Sequence, residues 1–376
     1  MSSQLLFVVN DAAFFLSHRM GLALAARKSG YTVKIATMPG PAVEKIRELG
    51  FEHYPIPMSR SGRNPLNEAV TLFAILKLLW QLKPDVVHLV TIKPVLYGGL
   101  AARLAPVKGV VCAVSGLGFV FMTKGVKAGF LRSMVKGLYR LALRRKNLKV
   151  IFQNPDDRDV LLGIRAITSE QVEMIRGSGV DLSLYEVKPE PDGPPVVCFA
   201  ARLLRDKGVF EFVDAARLLH QKGVTARFVI AGDSDPGNPT SVSESDVDQW
   251  RREGIVEVLG YQRDMAALFS KVSLVVLPSY REGLPKVLVE AAAAGRAVVT
   301  TDVPGCRDAV EPGVSGLLVP VKNVSSLAEA IERLIVDEPL RQTMGKAGRA
   351  LAEREFGIEK IVDQHLKIYA KVVNRA

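Results

Sequence analysis

The sequence predicts an α/β protein built from two Rossmann-like domains in tandem, facing each other across a cleft. Three observations predict it. The 376 residues exceed what one hydrophobic core comfortably serves. Short β-branched runs alternate with helical periods through both halves. A proline-rich break, Glu186 to Pro195 with four prolines in ten residues, interrupts the alternation before it restarts.

In the first half, Leu5–Val9 reads as a strand and Ser17–Lys28 as a helix stopped by Gly30. A strand at Thr32–Thr37 and a helix at Ala42–Leu49 follow, then a long apolar-faced helix at Leu66–Gln81 and a buried strand at Val86–Leu89. Val95–Leu104, Val110–Val114, Lys127–Arg145 and Val150–Gln153 continue as helix, strand, helix and strand. This order argues for a parallel doubly wound sheet. After the break come strands at Val196–Ala200, Arg227–Ala231, Val256–Leu259, Leu274–Leu277, Ala297–Thr301 and Gly316–Val319. Helices at Val209–Gln221, Met265–Lys271 and Ser325–Asp337 separate several of them, with further helices at the end. The expected boundaries are a domain over 1–186, a linker over 187–195, a second domain over 196–357, and a last helix over 358–376 long enough to return to the first domain.

Composition narrows the class. Hydrophobic residues make up 48% and charged residues 24%, an ordinary soluble balance. The start, Met1 to Asn10, lacks a basic region before its five apolar residues and reads as a strand, not a leader. The longest uncharged stretch, Gly109 to Thr123, is too short and too rich in Gly and Ser to span a bilayer. Cys112, Cys198 and Cys306 stand singly, without metal-ligand spacing, as in a reduced cytoplasm. The net charge of +11 is uneven: residues 1–185 hold 25 Lys/Arg against 12 Asp/Glu, a surplus of 13, which leaves the rest near −2. A basic half beside a near-neutral one points to an anionic partner.

The richest segment runs from Val275 to Gly295. An apolar run ends at Pro278, a polar Gly/Pro loop carries Glu282, and a helix opens at Pro285 and carries Glu290 within an otherwise apolar segment. A carboxylate in such a run is rarely buried without a partner, whereas Glu282 alone reads equally well as a solvated loop residue. Both lie after the carboxyl end of a strand, where open α/β sheets bind ligands. Arg202 and Lys207 follow the first strand of the second domain in Phe199 to Gly208. An Arg fork and a Lys point charge beside a helix start suit a diphosphate; the plain alternative is an exposed turn.

Together these residues resemble the retaining glycosyltransferases of the GT-B fold, the class of bacterial lipopolysaccharide, capsule and mannosyl transferases. The resemblance rests on Arg202 and Lys207, on Gly260 after a strand, and on Glu282-Gly283-Leu284-Pro285 with Glu290, and it covers nearly the whole chain. Phe14-Phe15-Leu16-Ser17-His18-Arg19 and Gly116-Leu117-Gly118-Phe119-Val120-Phe121 are similar to the subset that extends polyprenyl-diphosphate-linked saccharides. The resemblance implies a nucleotide sugar, UDP favoured, as donor. It gives Arg202 and Lys207 the donor diphosphate, Glu290 the ribose and Glu282 the hexose, with Gly260, Tyr261, Gly283 and Leu284 lining the donor site. It implies a first domain that binds the acceptor, a lipid-linked or other saccharide, with no cofactor and no metal.

On the acceptor side, His18 is expected to orient the acceptor or a donor hydroxyl, with Gly116 beside it and Arg19 and Lys93 as holders of acceptor phosphate. The basic helix, with Lys127, Arg132, Lys136 and Arg140 among apolar residues, suits an anionic membrane surface, as on the inner face of a plasma membrane. The alternative is a core-packed helix with a solvated basic face. Gly232-Asp233-Ser234-Asp235 has the Asp-x-Asp pattern of a different, metal-using fold, but its Gly/Pro/Asn surroundings read as a turn. Gly116-Leu117-Gly118 lacks the third glycine of a dinucleotide loop, and no Walker motif occurs. A sugar-nucleotide epimerase of similar architecture would need acid/base histidines, and only five His occur. A non-enzymatic binder of anionic polymers lacks interleaved exposed aromatics and a recognition helix, which argues against nucleic acid.

Overall fold

The computed structural model describes residues 2–58, 64–117, 126–235 and 237–374, with side chains in the helix that begins at Val126 described from Ser133 onward. It divides into two compact units: 1–178 with 359–376, and 179–358.

The first unit carries β1 (Gln4–Val9), α1 (Ala12–His18), α2 (Met20–Lys28), β2 (Thr32–Thr37), α3 (Val43–Glu48), β3 (Glu52–Pro55), α4 (Pro65–Leu82), β4 (Val86–Val90), α5 (Gly99–Ala102), β5 (Gly109–Val114), α6 (Val126–Leu143), β6 (Leu148–Phe152), α7 (Pro155–Gly163) and β7 (Val172–Met174). The strands form one parallel sheet in the order β3-β2-β1-β4-β5-β6-β7. Successive residues point to opposite faces, and both faces are covered. Leu6, Val8, Val87 and Leu89 pack under α4 to α7, while Leu5, Phe7, Val9 and Val86 pack under α1 to α3 and the C-terminal helix. That double covering is why β4, β5 and β6 read as unbroken apolar runs.

The second unit carries β8 (Val196–Ala200), α8 (Val209–Gln221), β9 (Arg227–Ala231), α9 (Glu244–Glu253), β10 (Val256–Gly260), α10 (Met265–Phe269), β11 (Leu274–Leu277), α11 (Lys286–Ala293), β12 (Ala297–Thr301), β13 (Gly316–Val319), α12 (Val324–Val336) and α13 (Glu338–Leu351). Its parallel sheet runs β10-β9-β8-β11-β12-β13. The order reverses beside β8, between β9 and β11, so the loops after β8 and β11 splay apart there and leave room for a ligand. The last helix, α14 (Ile358–Asn374), packs on the first unit, where the Tyr369 hydroxyl lies 2.6 Å from His88 Nδ1 in β4.

The proline-rich break is not a linker. It is fastened to the second unit, and the first unit stops at Ser178 rather than 186. Arg296 Nη2 donates to the Lys188 carbonyl at 2.9 Å, Arg341 Nε donates to Glu190 at 2.9 Å, and Val187 covers Gly295. Proline stiffness here serves a strap held by two buried arginines, Arg296 at its carbonyls and Arg341 at the Glu190 carboxylate. The single helix expected over Ser17–Lys28 is two, α1 and α2, jointed at Arg19, whose backbone (φ −130°, ψ −8°) leaves the helical range. Strands β3 and β7 and helices α7 and α9 carry no strong apolar period and were not read from the sequence.

Candidate donor and acceptor sites

Two close approaches of backbone shape the carboxyl edge of the second sheet. Gly208 sits at φ +75°, and a Cβ there would lie 2.1 Å from the Pro278 carbonyl oxygen. Gly232 sits at φ +149°, with a Cβ placed 1.9 Å from the Ala201 oxygen. Only glycine fits either position. The first draws the start of α8 against the loop after β11; the second draws the loop after β9 against the loop after β8. The Gly232 amide also donates to the Gly260 carbonyl at 2.8 Å, which joins the end of β10 to the same edge. Tyr261 follows, exposed.

Lys207 ends a 3₁₀ turn, Arg205–Lys207, just before α8. Its ammonium pairs with Glu282 Oε1. The same oxygen lies 2.7 Å from Ser279 Oγ. The Glu282 amide donates to the Pro304 carbonyl at 3.1 Å, and the Tyr280 amide to the Asp206 carbonyl at 2.9 Å. The loop carboxylate is therefore partly buried and braced on three sides. Beneath it lies Cys306, whose thiol burial pushes up to about 12, with the charge of Glu282 adding to the shift. Tyr280 donates to Glu211 at 2.6 Å, and burial with that bond raises its phenol well above the usual range.

Glu290 is 6% exposed, on the second turn of α11. Lys286 Nζ, one turn earlier, lies 3.0 Å from Glu290 Oε1. Tyr185 is the other partner: burial and then the charge of Glu290 push its phenol far up, so it stays a donor. Arg202 Nη1 lies 2.6 Å from Asp235 Oδ2. The second Asp of the Asp-x-Asp thus has an arginine partner, while Asp233 lies against Gly260. Leu284 is buried in the core of the unit and Gly283 lies between it and Glu282.

Arg202, Lys207, Glu282 and Glu290 come from two loops and one helix and sit on one edge of one sheet. Ser279, Tyr185 and Lys286 were not singled out from sequence, and Asp235 was read only as part of a turn. The i, i+4 spacing of Lys286 and Glu290 was the one legible signal among them; the others become neighbours only through the fold.

In the first unit the expected acceptor residues separate. His18 stacks on Phe14 with ring centroids 4.1 Å apart, and its Nδ1 lies 2.7 Å from Ser17 Oγ. Gly116 follows β5, beside Ser115, whose buried hydroxyl has no hydrogen-bond partner among the described residues. Across that edge Thr91 Oγ1 donates to Asn10 at 2.9 Å. Lys93 pairs with Glu68 of α4 at 2.5 Å, so its charge is already matched. Arg19 departs from expectation altogether. It is 3% exposed, pointing under α14 toward Tyr369, His88 and His365, and burial lowers it to about 10. It donates to the His18 carbonyl at 3.1 Å. The joint between α1 and α2 turns Arg19 inward, so it braces His18 instead of meeting a ligand.

Of the basic helix, Tyr139, Ala142 and Leu143 face the core with Val135 and Leu138 against it, while Met134, Arg140, Leu141 and Arg144 face outward. From Ser133 onward its apolar side is mostly core packing, which matches the alternative of a core-packed helix with a solvated basic face. Lys136 is half-buried. The side chains of Lys127 and Arg132, and residues Gly118, Phe119, Val120 and Phe121, lie outside the described residues.

Comparison with known proteins agrees with this architecture. Residues 184–351 match the family model of glycosyl transferases group 1, and residues 4–154 that of glycosyl transferase 4-like proteins. The chain is 29% identical, over 98% of both sequences, to the N,N'-diacetylbacillosaminyl-diphospho-undecaprenol alpha-1,3-N-acetylgalactosaminyltransferase of Campylobacter jejuni. It is 25% identical to the UDP-Gal:alpha-D-GlcNAc-diphosphoundecaprenol alpha-1,3-galactosyltransferase of Escherichia coli, over 82% of this chain and 81% of that one. Among solved structures, sucrose-phosphate synthase of Thermosynechococcus elongatus superposes with a TM-score of 0.80 at 21% identity over the whole of both chains. The Anabaena HepE protein in complex with UDP-glucose superposes with a TM-score of 0.75 at 20% identity, over 99% of this chain and 100% of that one.

Proposed function

The chain belongs to the group 1 glycosyltransferases, with the GT-B fold, and from that premise we propose that it moves a hexose or N-acetylhexosamine from a UDP-sugar to a polyprenyl-diphosphate-linked saccharide, with retention at the anomeric carbon. The step belongs to cell-surface polysaccharide synthesis. The observation that carries the reading is the Lys207–Glu282–Ser279 cluster on the sheet edge that also presents Arg202 and Glu290.

Each cation on that edge is matched by a carboxylate that a ligand can replace. A donor diphosphate takes Lys207 from Glu282 and Arg202 from Asp235. The freed Glu282 then accepts from hexose hydroxyls, and Glu290, held by Lys286 and Tyr185, accepts from the ribose. As the glycosidic bond to the diphosphate breaks, negative charge grows on the leaving oxygen. Lys207, Arg202 and the amides of Gly283 and Leu284 ahead of α11 oppose it. With that much positive charge, the reaction proceeds without a metal. His18, braced by Ser17 and Phe14, lies on the acceptor side with Gly116. The acceptor class is supported by the names of the Campylobacter and Escherichia relatives, and the donor class by the UDP-glucose complex of the Anabaena protein. A lipid-linked acceptor also calls for a peripheral site at the inner face of a plasma membrane.

The test is a panel of UDP-, GDP- and ADP-sugars, read by nucleotide release with a short prenyl-diphosphate-linked N-acetylhexosamine as acceptor and by thermal shift without it. Turnover confined to a UDP-hexose or UDP-N-acetylhexosamine, with an axial linkage preserved in the product, is expected. Activity with GDP-sugars alone overturns the donor assignment, and an inverted linkage overturns retention.

A further inference from the structure

From Val86 to Pro155 the chain holds twelve Lys/Arg and no Asp or Glu. The fold concentrates part of that charge in a cavity of about 710 Å³ in the first unit, lined by Arg103, Arg140, Arg144 and Arg165 together with Thr168 and Gln171. Among the described residues no carboxylate lines it. Arg103 follows α5, Arg140 and Arg144 lie at the end of α6, and Arg165 and Thr168 lie between α7 and β7. All of these segments precede strands β5, β6 and β7, so the cavity is at the amino edge of the sheet. Gly116 and Lys93 follow strands, at the opposite edge.

Two of the arginines are anchored by backbone. Arg103 Nη1 donates to the carbonyls of Leu141 at 2.8 Å and Arg144 at 3.0 Å, and Arg140 Nε donates to that of Ile164 at 2.6 Å. Gln171 Nε2 takes the carbonyls of Leu143 and Arg145 at 3.1 Å each. Arg103 and Gln171 thereby take the carbonyls of Leu141, Leu143, Arg144 and Arg145 at the end of α6. Among the described residues none of the four arginines has a carboxylate within ion-pair distance, whereas Arg158, Arg217, Arg227, Arg307, Arg341, Arg349 and Arg354 each do. Arg165 also holds φ +54°, a backbone position that usually goes to Gly or Asn after a helix.

We propose that this cavity is a binding site for a phosphate group, separate from the donor site and independent of glycosyl transfer. Four guanidinium groups on three segments converge on one space, and planar forks of donors match phosphate oxygens in pairs. Thr168 adds a hydroxyl. Leu141 and Ile167 supply apolar wall for the carbon part of a phosphate ester. A lipid headgroup and a soluble phosphate offer the same chemistry.

The experiment uses the full chain carrying Lys207→Ala, which weakens the donor diphosphate site, titrated with inorganic pyrophosphate by calorimetry. It is compared with the same chain carrying Arg144→Gln and Arg165→Gln as well, since neither side chain holds a backbone carbonyl. We expect one site in the first protein and a 10- to 100-fold weaker one in the second, at equal melting temperature. Arg144→Lys with Arg165→Lys restores most of the affinity; equal loss in that pair means that shape and not charge was disturbed, and overturns the proposal. In a second arm both proteins are floated on phosphatidylglycerol and on phosphatidylcholine vesicles. Flotation on the anionic vesicles that falls with the Gln pair and is competed by pyrophosphate assigns a lipid headgroup. Flotation unchanged by the pair, with pyrophosphate affinity still lost, assigns a soluble phosphate. Absence of pyrophosphate binding, or affinity and flotation both indifferent to the substitutions, sinks the site.

Discussion

Lys207 and Glu282 neutralise each other in the ligand-free chain, and that pairing sets what each substitution does. Removing Lys207 takes away a donor to the leaving diphosphate and also leaves Glu282, which is partly buried, with Ser279 as its remaining side-chain donor. One preorganised donor to a developing charge is worth about 3 kcal/mol. Lys207→Ala should therefore slow transfer by two to three orders of magnitude, and Arg202→Ala comparably, with far-UV circular dichroism unchanged; wild-type turnover in either protein ends the assignment. Glu290→Ala should weaken binding of free UDP, measured by calorimetry, whereas Glu282→Ala should leave UDP affinity near wild type and lower kcat. Equal loss of UDP affinity in both would contradict the ribose and hexose roles. Because Lys207, Arg202 and the amides ahead of α11 supply the positive charge that opposes the leaving diphosphate, the proposed scheme uses no metal. Activity should persist in EDTA, and Asp233→Asn should change the rate by less than about threefold. Inactivation by EDTA that Mn²⁺ reverses would show the opposite.

Elements were legible where apolar period and punctuation agreed. The parallel strands of both sheets other than β3 and β7, the glycine stops after Lys28 and Leu49, and the loop-helix start around Pro285 all follow from local chemistry. What was not legible is set by tertiary packing. The proline-rich strap reads as a linker because nothing local announces Arg296 and Arg341, which hold it from more than a hundred residues away. Arg19 reads as a surface cation because its burial depends on α14. That helix brings His365 and Tyr369 against His88, Arg19 and, at its outer side, Tyr31. Burial holds the His365 imidazole down to about 3 and His88 well below its usual 6.5, with no carboxylate among the groups that shift them. The folded state then binds fewer protons than the unfolded one below pH 6.5, so stability is present above that pH and is lost as pH falls toward the folded values. His365 alone should cost about 2 kcal/mol between pH 6.5 and 5. Thermal unfolding at pH 7.5 and 5.0 should show a large drop for the wild type. His365→Leu should be less stable at pH 7.5 and should lose less on acidification. An identical drop in both proteins would mean that this imidazole is not the group resisting charge.

The whole molecule is charged unevenly, and the structure changes which surface that charge accompanies. Among the described residues no helix is long and apolar enough to cross a membrane. The basic stretch was expected to bring its own apolar face, yet α6 turns most of that face into the core and leaves Met134 and Leu141 beside Arg140 and Arg144. A larger apolar surface lies on α4, in the same helical layer, where Phe73 is 66% and Trp80 53% exposed, with Val70 in line. Aromatic side chains of this kind favour the headgroup boundary, and each nearby Lys or Arg adds about 1 kcal/mol on anionic lipid. Association with anionic vesicles should therefore be reversible, rise with anionic fraction and fall steeply between low and high salt, as exposed charges are screened. In sedimentation assays, replacing Arg132, Lys136 and Arg140 with Gln should release the protein at moderate salt, whereas Phe73→Ser with Trp80→Ser should weaken binding at every salt concentration. Hydrolysis of the free sugar nucleotide should be the same in both variants, because that reaction needs only the second unit's edge and water, while transfer to a lipid-linked acceptor in vesicles should fall with binding. Sedimentation indifferent to lipid charge, salt and both sets of substitutions would make α4 and α6 ordinary solvated helices and would leave the acceptor to reach the enzyme without a membrane contact.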